Sequence, residues 1–184
     1  MDEGREVRQI IQRLFQGSIR DLNLLKEPAI RERFNFTLVI NVGSTPFVPR
    51  GVPTLYLPMF DVSNEDDPER TRNNWSLITD ALLAATGEIS REGKVLVVCD
   101  AGISRSVVFS AMVVSILEDI PMMVTMFDGL QEDASPAGQT INDELMQVVR
   151  TPGELEPSHE LWKDAAKAIK GISEAIEMLR GADE

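Results

Sequence analysis

The sequence alternates short apolar runs with segments of helical periodicity, and this alternation limits the folds open to the chain. Near-continuous β-branched and apolar residues at positions 36–42 and 94–98 are typical of strands buried on both faces, and residues 53–59 form a weaker run. We also expect a strand or strand pair at residues 8–17. Strands interleaved with helices favour an α/β fold with a mainly parallel central sheet flanked by helices.

Apolar residues that recur at steps of three and four predict the helices between these strands. The clearest such face starts after Pro68, where a helix can begin, and continues to about Ser90. Another apolar helix is expected from Arg105 to just before Pro121. Weaker helical patterns cover residues 19–33 with a break near Pro28, residues 123–133 and residues 140–150.

A polar segment at residues 151–157, with two prolines and one glycine, sets off the C-terminal part of the chain. We therefore divide the chain into a main domain at residues 1–150 and a linker with an amphipathic helix at residues 151–184. The apolar stripe of this helix consists of Leu161, Ala165, Ile169, Ile172, Ile176 and Leu179. We interpret the helix as a packing extension of the main domain, with a partner-binding helix as the alternative.

The charge balance argues against polyanionic partners. The chain has 18 lysines and arginines against 30 acidic residues, a net charge of −12, which is unsuited to nucleic acid or an anionic membrane surface. The longest apolar-rich run, residues 107–117, has 11 residues, whereas a membrane span needs about 20. The first residues are acidic and no apolar signal core follows them, so we expect a cytoplasmic protein. The oligomeric state stays open.

The segment at residues 98–106 joins a predicted strand to a predicted helix through a turn that holds a thiol, a glycine and an arginine. Inward-facing backbone N–H groups and the helix start at Arg105 would hold an anion there. The same field favours the thiolate form of Cys99, and the guanidinium of Arg105 has a planar fork that fits two phosphoryl oxygens. The sequence therefore predicts a phosphate-binding loop with a nucleophile at its floor.

This segment resembles the signature of the cysteine-dependent protein phosphatases, since five residues separate Cys99 from Arg105. The sequence of residues 101–106 is most similar to the dual-specificity branch. This resemblance implies a dual-specificity phosphatase-like fold, to which the chain adds a C-terminal helix. Weaker similarity to the same family extends over about residues 8–150 and includes residues 14–18, 39–42, 57–61 and, more loosely, 142–145.

The resemblance implies a role for each matching residue. Cys99 would attack phosphorus and form a phosphocysteine, and Ser106 would stabilise the thiolate that leaves when water cleaves this intermediate. Asp61 would protonate the leaving group and then deprotonate the water. Asn41 would brace the loop, and no metal or cofactor is implied. The implied phosphate-binding positions are Asp100, Ala101, Gly102, Ile103, Ser104 and Arg105.

Two features depart from the family pattern. Val98 stands where the family has a histidine that helps to keep the thiolate ionised. Asp61 lies 38 residues before Cys99, a longer spacing than in compact members, so Asp66 or Asp67 is an alternative acid.

We expect a phosphoprotein phosphatase that acts on phosphotyrosine, with phosphoserine and phosphothreonine left open. Asp100 adds negative charge beside the loop and makes a heavily phosphorylated lipid or inositol a less suitable substrate. The alternative is a pseudophosphatase that binds phosphorylated partners with little or no turnover. Val98 and the open choice of the general acid among Asp61, Asp66 and Asp67 favour this alternative. A rhodanese-like or arsenate-reducing use of the loop fits less well, because arsenate reduction by a thiol relay needs further cysteines.

Overall fold

The computed structural model describes residues 7–61, 73–122, 124–126, 139–141 and 159–181. In chain order its strands are β1 (Arg8–Ile11), β2 (Leu14–Ser18), β3 (Leu38–Asn41), β4 (Thr54–Tyr56), β5 (Val95–Cys99), β6 (Val124–Met126) and β7 (Gln139–Ile141). Its helices are α1 (Ile19–Leu24), α2 (Pro28–Phe34), α3 (Trp75–Ser90), α4 (Arg105–Glu118) and α5 (His159–Gly181).

The central sheet has five strands in the order β1-β2-β5-β3-β4. The β2–β5, β5–β3 and β3–β4 pairs are parallel, and the β1–β2 pair at the edge is antiparallel. The expected α/β fold with a mainly parallel sheet is therefore confirmed. Cys99 at the end of β5 pairs with Ser18 of β2, so the carboxyl ends of these strands meet at one edge of the sheet.

Strand β5 is buried along its whole length because hydrophobic layers cover both faces of the sheet. Val95, Val97 and Cys99 face a core built largely from α3, α4 and the first half of α5. Leu96 and Val98 face a smaller cluster beside α1 and α2. Successive residues of a strand point to opposite faces, so this two-sided burial explains the continuous apolar run in the sequence.

The predicted helices of the main domain agree with the structure at several points. The helix expected to reach Ser90 ends there, although it begins at Trp75, after the N-cap Asn74, and not directly after Pro68. The helix expected from Arg105 begins there. The break near Pro28 is confirmed, since Pro28 is the first residue of α2, a position that does not require a backbone N–H.

The predictions of helix at residues 123–133 and 140–150 are wrong where the structure describes these segments. Residues 124–126 and 139–141 are the strands β6 and β7, which pair antiparallel. Each strand contains a β-branched residue that favours extended backbone, and their pairing is a contact between distant positions that local periodicity does not report. The rest of both segments lies outside the described residues.

The C-terminal helix α5 is confirmed, and its first half belongs to the main core. Leu161, Trp162, Ala165 and Ile169 are buried in the same cluster as α4. This burial supports a packing role for the helix, while the division of the chain at residue 150 stays a prediction. Within the described ranges, no helix combines the length and apolarity needed to cross a membrane.

Trp162→Ala should destabilise the whole domain, because Trp162 is among the largest fully buried side chains. We expect a loss of about 3–5 kcal/mol in the free energy of unfolding, measured by urea denaturation. Met178→Ala on the same helix is the control, since Met178 is 77% exposed, and it should change that free energy by less than about 0.5 kcal/mol. An equal, small effect of both substitutions would contradict the placement of α5 in the core.

Candidate active site

The loop between β5 and α4 places the sulfur of Cys99 against polar groups. Cys99 is 2% exposed, and its Sγ lies 3.2 Å from Ser106 Oγ, within hydrogen-bonding distance. The Gly102 N–H donates to the same Sγ at 3.2 Å. The sulfur is therefore held between an amide of the loop and a hydroxyl on the first turn of α4.

Gly102 is required by the shape of this loop. Its φ is +75°, and a Cβ there would lie 3.0 Å from the backbone carbon and oxygen of Gly17. The Gln16 Nε2 donates to the Gly102 carbonyl at 3.2 Å. The end of β2 therefore supports the loop from the side opposite to β3.

The guanidinium of Arg105 contacts two carboxylates. Its Nη2 is 2.6 Å from Asp100 Oδ2, and its Nε is 3.6 Å from Asp61 Oδ2. Its Nη1 donates to Ser44 Oγ at 2.7 Å and to the Met59 carbonyl at 3.4 Å. Because the side chain is 16% exposed, Arg105 is held at the loop rather than extended into solvent.

Asp100 connects the loop to the segment that follows β3. Its carboxylate accepts hydrogen bonds from the Ser44 N–H at 2.8 Å and from the Thr45 N–H at 3.1 Å, besides the Arg105 ion pair. Burial raises the pKa of Asp100, but the Ser44 and Thr45 hydrogen bonds and the charge of Arg105 outweigh it and lower the pKa to about 2. The carboxylate is therefore charged at neutral pH.

Asn41, at the end of β3, braces the segment that carries Ser44. Its Nδ2 donates to the carbonyls of Thr45 and Phe47 at 2.9 and 3.3 Å, and its Oδ1 accepts from the Gly43 N–H at 3.0 Å. Asn41 thus holds the segment that follows β3, and this segment in turn contacts Asp100.

Asp61 contacts the loop through Ser104 and Arg105. The Ser104 hydroxyl donates to Asp61 Oδ1, and the Asp61 side chain is 39% exposed. The backbone just before it is fixed by Asn73, whose Oδ1 accepts from the Phe60 N–H at 2.8 Å and whose Nδ2 donates to the Phe60 carbonyl at 3.0 Å. The alternative acids Asp66 and Asp67 lie outside the described residues.

Val98 is fully buried on the opposite face of the sheet from Cys99. Its neighbours in that cluster include Leu22, Leu25 and Phe36. A hydrocarbon side chain forms no hydrogen bond with the loop, so the support that the family's histidine supplies has no counterpart in Val98 itself.

The sequence matches no protein-family model and no curated protein, whereas its structure resembles several solved structures. A mouse putative dual specificity phosphatase complexed with zinc tungstate has a TM-score of 0.69 at 18% identity, over 96% of this chain and 94% of that one. Human DUSP28 has a TM-score of 0.64 at 19% identity, over 91% of this chain and 98% of that one. The chain has the dual-specificity phosphatase fold.

The dual-specificity phosphatase fold is shared by proteins whose names differ in what they say about activity. The human tyrosine phosphatase-like serine/threonine/tyrosine-interacting protein has a TM-score of 0.57 at 18% identity, over 95% of this chain and 99% of that one. At these identities the likeness establishes the fold, and the activity has to be argued from the side chains at the loop.

On this fold, the residues singled out in the sequence come together at the carboxyl end of β5. Cys99, Gly102, Ser104, Arg105, Ser106, Asp61 and Asp100 are joined by the contacts above, and Ala101 and Ile103 complete the loop between them. Sequence reasoning missed Gln16, Ser44, Thr45 and Asn73. Their contacts join distant parts of the chain, and no local motif marks them.

The low pKa of Asp100 predicts a pH-dependent contribution to stability. Its folded-state pKa of about 2 lies below the ordinary value of 3.8, so the stabilisation is complete above that value and is lost as pH falls towards 2. Asp100→Asn should therefore lower the free energy of unfolding by about 1–2 kcal/mol at pH 6, and by less at pH 3. Urea denaturation of both proteins at the two pH values measures this, and a difference independent of pH would contradict it.

Proposed function

We propose that this protein is a phosphoprotein phosphatase that hydrolyses phosphotyrosine through a phosphocysteine intermediate, with phosphoserine and phosphothreonine as further substrates. The observation that carries the proposal is the buried Cys99 sulfur, held by Gly102 N–H and Ser106 Oγ at the floor of a loop that also holds Arg105. A thiol, oriented donors and an arginine fork at a helix start form the set needed to bind a phosphoryl group and attack it.

In the first step, the Cys99 thiolate attacks phosphorus while the bond from phosphorus to the leaving oxygen breaks. Arg105 and the loop amides hold the phosphoryl oxygens, where charge develops in the transition state. Asp61, in its protonated form, gives its proton to the leaving oxygen. The proximity of Asp61 to Ser104 and Arg105 supports this role.

In the second step, a water molecule attacks the phosphocysteine and the bond between sulfur and phosphorus breaks. The Asp61 carboxylate takes the proton from the water, which restores the acid for the next turnover. The Ser106 hydroxyl, 3.2 Å from Sγ, donates to the departing thiolate. Inorganic phosphate leaves, and the chain returns to its starting state.

A phosphoprotein is the substrate class best suited to the charges at this site. Asp61 and Asp100 place two carboxylates beside Arg105, so a ligand with further phosphate groups would meet like charge. A single phosphate ester on a protein side chain experiences less of this electrostatic repulsion.

The second candidate is a pseudophosphatase that binds phosphorylated partners with little or no turnover. Val98 favours it, because the buried hydrocarbon gives the thiolate no hydrogen-bonded support from below the loop. The two candidates differ in one observable. Both bind a phosphotyrosine peptide, but only the enzyme releases more moles of phosphate than there are moles of protein.

Cys99→Ser tests the proposed reaction. The wild-type protein, with EDTA present, should release phosphate from an aryl phosphate and from phosphotyrosine peptides, and Cys99→Ser should lower the rate by roughly a thousandfold or more because the nucleophile is lost. Unfolding curves followed by the fluorescence of the two tryptophans verify that the variant folds. Equal rates would refute the phosphocysteine route, and peptide binding without release by the wild-type protein would select the pseudophosphatase.

Asn73→Ala tests the role of Asp61, because Asn73 fixes the backbone of Phe60 just before it. A misplaced acid matters most when the leaving oxygen is basic. We expect kcat to fall about tenfold or more for an alkyl phosphate, and much less for an aryl phosphate with an acidic phenol. Asn74→Ala is the control, since it removes the cap of α3 and contacts Leu77 rather than Phe60. The same loss of kcat for both substrates in Asn73→Ala would contradict this role.

A further inference from the structure

The two carboxylates beside Arg105 face the edge of the guanidinium that normally grips an oxyanion. Nε and Nη2 form the edge that can donate two parallel hydrogen bonds to one phosphoryl group. Here Nη2 lies 2.6 Å from Asp100 Oδ2, and Nε lies 3.6 Å from Asp61 Oδ2. A phosphoryl group that uses this edge must therefore displace a carboxylate or share the guanidinium with it.

The two carboxylates differ in their distance from Arg105. Asp100 is fixed by the amides of Ser44 and Thr45 as well as by Arg105, and its side chain is 29% exposed. The contact of Asp61 with Arg105 is 1.0 Å longer by the two distances, 3.6 against 2.6 Å, and its side chain is 39% exposed. Asp61 also accepts a hydrogen bond from the Ser104 hydroxyl, so what distinguishes Asp100 is its closer ion pair with Arg105.

The segment after β3 keeps Asp100 in place. A Cβ at Gly43 would lie 3.0 Å from the Asp100 amide nitrogen and 3.2 Å from its Cγ, so the two segments are packed closely. Asn41 holds the same segment through the Gly43 N–H and the Thr45 carbonyl. Asp100 cannot leave Arg105 without breaking two amide hydrogen bonds in a braced segment, which opposes its release.

We propose that Asp100 is a positioning residue that limits the affinity of the loop for oxyanions, because its carboxylate competes with phosphoryl oxygens for the guanidinium of Arg105. The inference rests on the proposed phosphate-binding function of the loop. Asp100 is then also a specificity determinant. Its competition weakens the binding of every oxyanion, and it weakens most the binding of ligands with a second negative group on the Asp100 side.

The test measures the binding of tungstate, a phosphate-like dianion that the protein cannot hydrolyse, by isothermal titration calorimetry at pH 7. Asp100→Asn and Asp100→Ser should each bind tungstate about five- to tenfold more tightly than the wild-type protein, because one like charge beside the ligand is removed. Asp80→Asn is the matched control: Asp80 is exposed on α3, its loss changes the net charge equally, and it should leave the affinity unchanged.

A purely structural role for Asp100 predicts the opposite sign, since a disordered loop binds oxyanions more weakly. Unchanged or weaker binding in both Asp100 variants would overturn the inference while leaving the proposed function standing, provided that the wild-type protein binds tungstate. If the wild-type protein and both variants fail to bind tungstate, the inference and the phosphate-binding function fall together.

Discussion

Burial of β5 on both faces is the constraint on which the site depends. Strand β5 brings Cys99 to the centre of the sheet because the four residues of the strand before it are apolar and buried. The chain then turns into α4. The sulfur consequently lies at the carboxyl edge of the sheet, beside the Gly102 amide and the start of α4, and such groups favour negative charge. The same strand–loop–helix segment therefore contributes the central strand of the sheet and positions Cys99 and Arg105.

The surroundings of this segment come from the neighbouring parallel strands. Strand β2 supports the loop through Gln16, and β3 supplies Asn41, which holds the segment that contacts Asp100. On a parallel sheet such supports converge because the strands end at the same edge. Arg105 is thereby tied to parts of the chain up to 61 residues away through its contact with Ser44 Oγ, so the geometry of the loop depends on the whole sheet.

Sequence reasoning recovered the segments whose pattern is local. The apolar run of β5, the helical spacing of α3 and the motif from Cys99 to Arg105 each lie within one stretch of chain. It failed at β6 and β7, where pairing of distant residues overrides local periodicity, and it missed the Asn73 bridge to Phe60. The sequence indicated a negative charge at Asp100, but it did not predict the ion pair of Asp100 with Arg105. The direction of a side chain in a turn depends on contacts that the motif does not encode.

The proposed reaction requires a covalent bond between the Cys99 sulfur and phosphorus. Mass spectrometry of the protein, quenched with denaturant at neutral to alkaline pH during turnover of an activated aryl phosphate, detects this bond, and Asp61→Ala slows removal of the intermediate. We expect up to one phosphoryl group per chain, located on the Cys99 peptide. A protein that releases phosphate while its Cys99 peptide stays unmodified at every time point would contradict it.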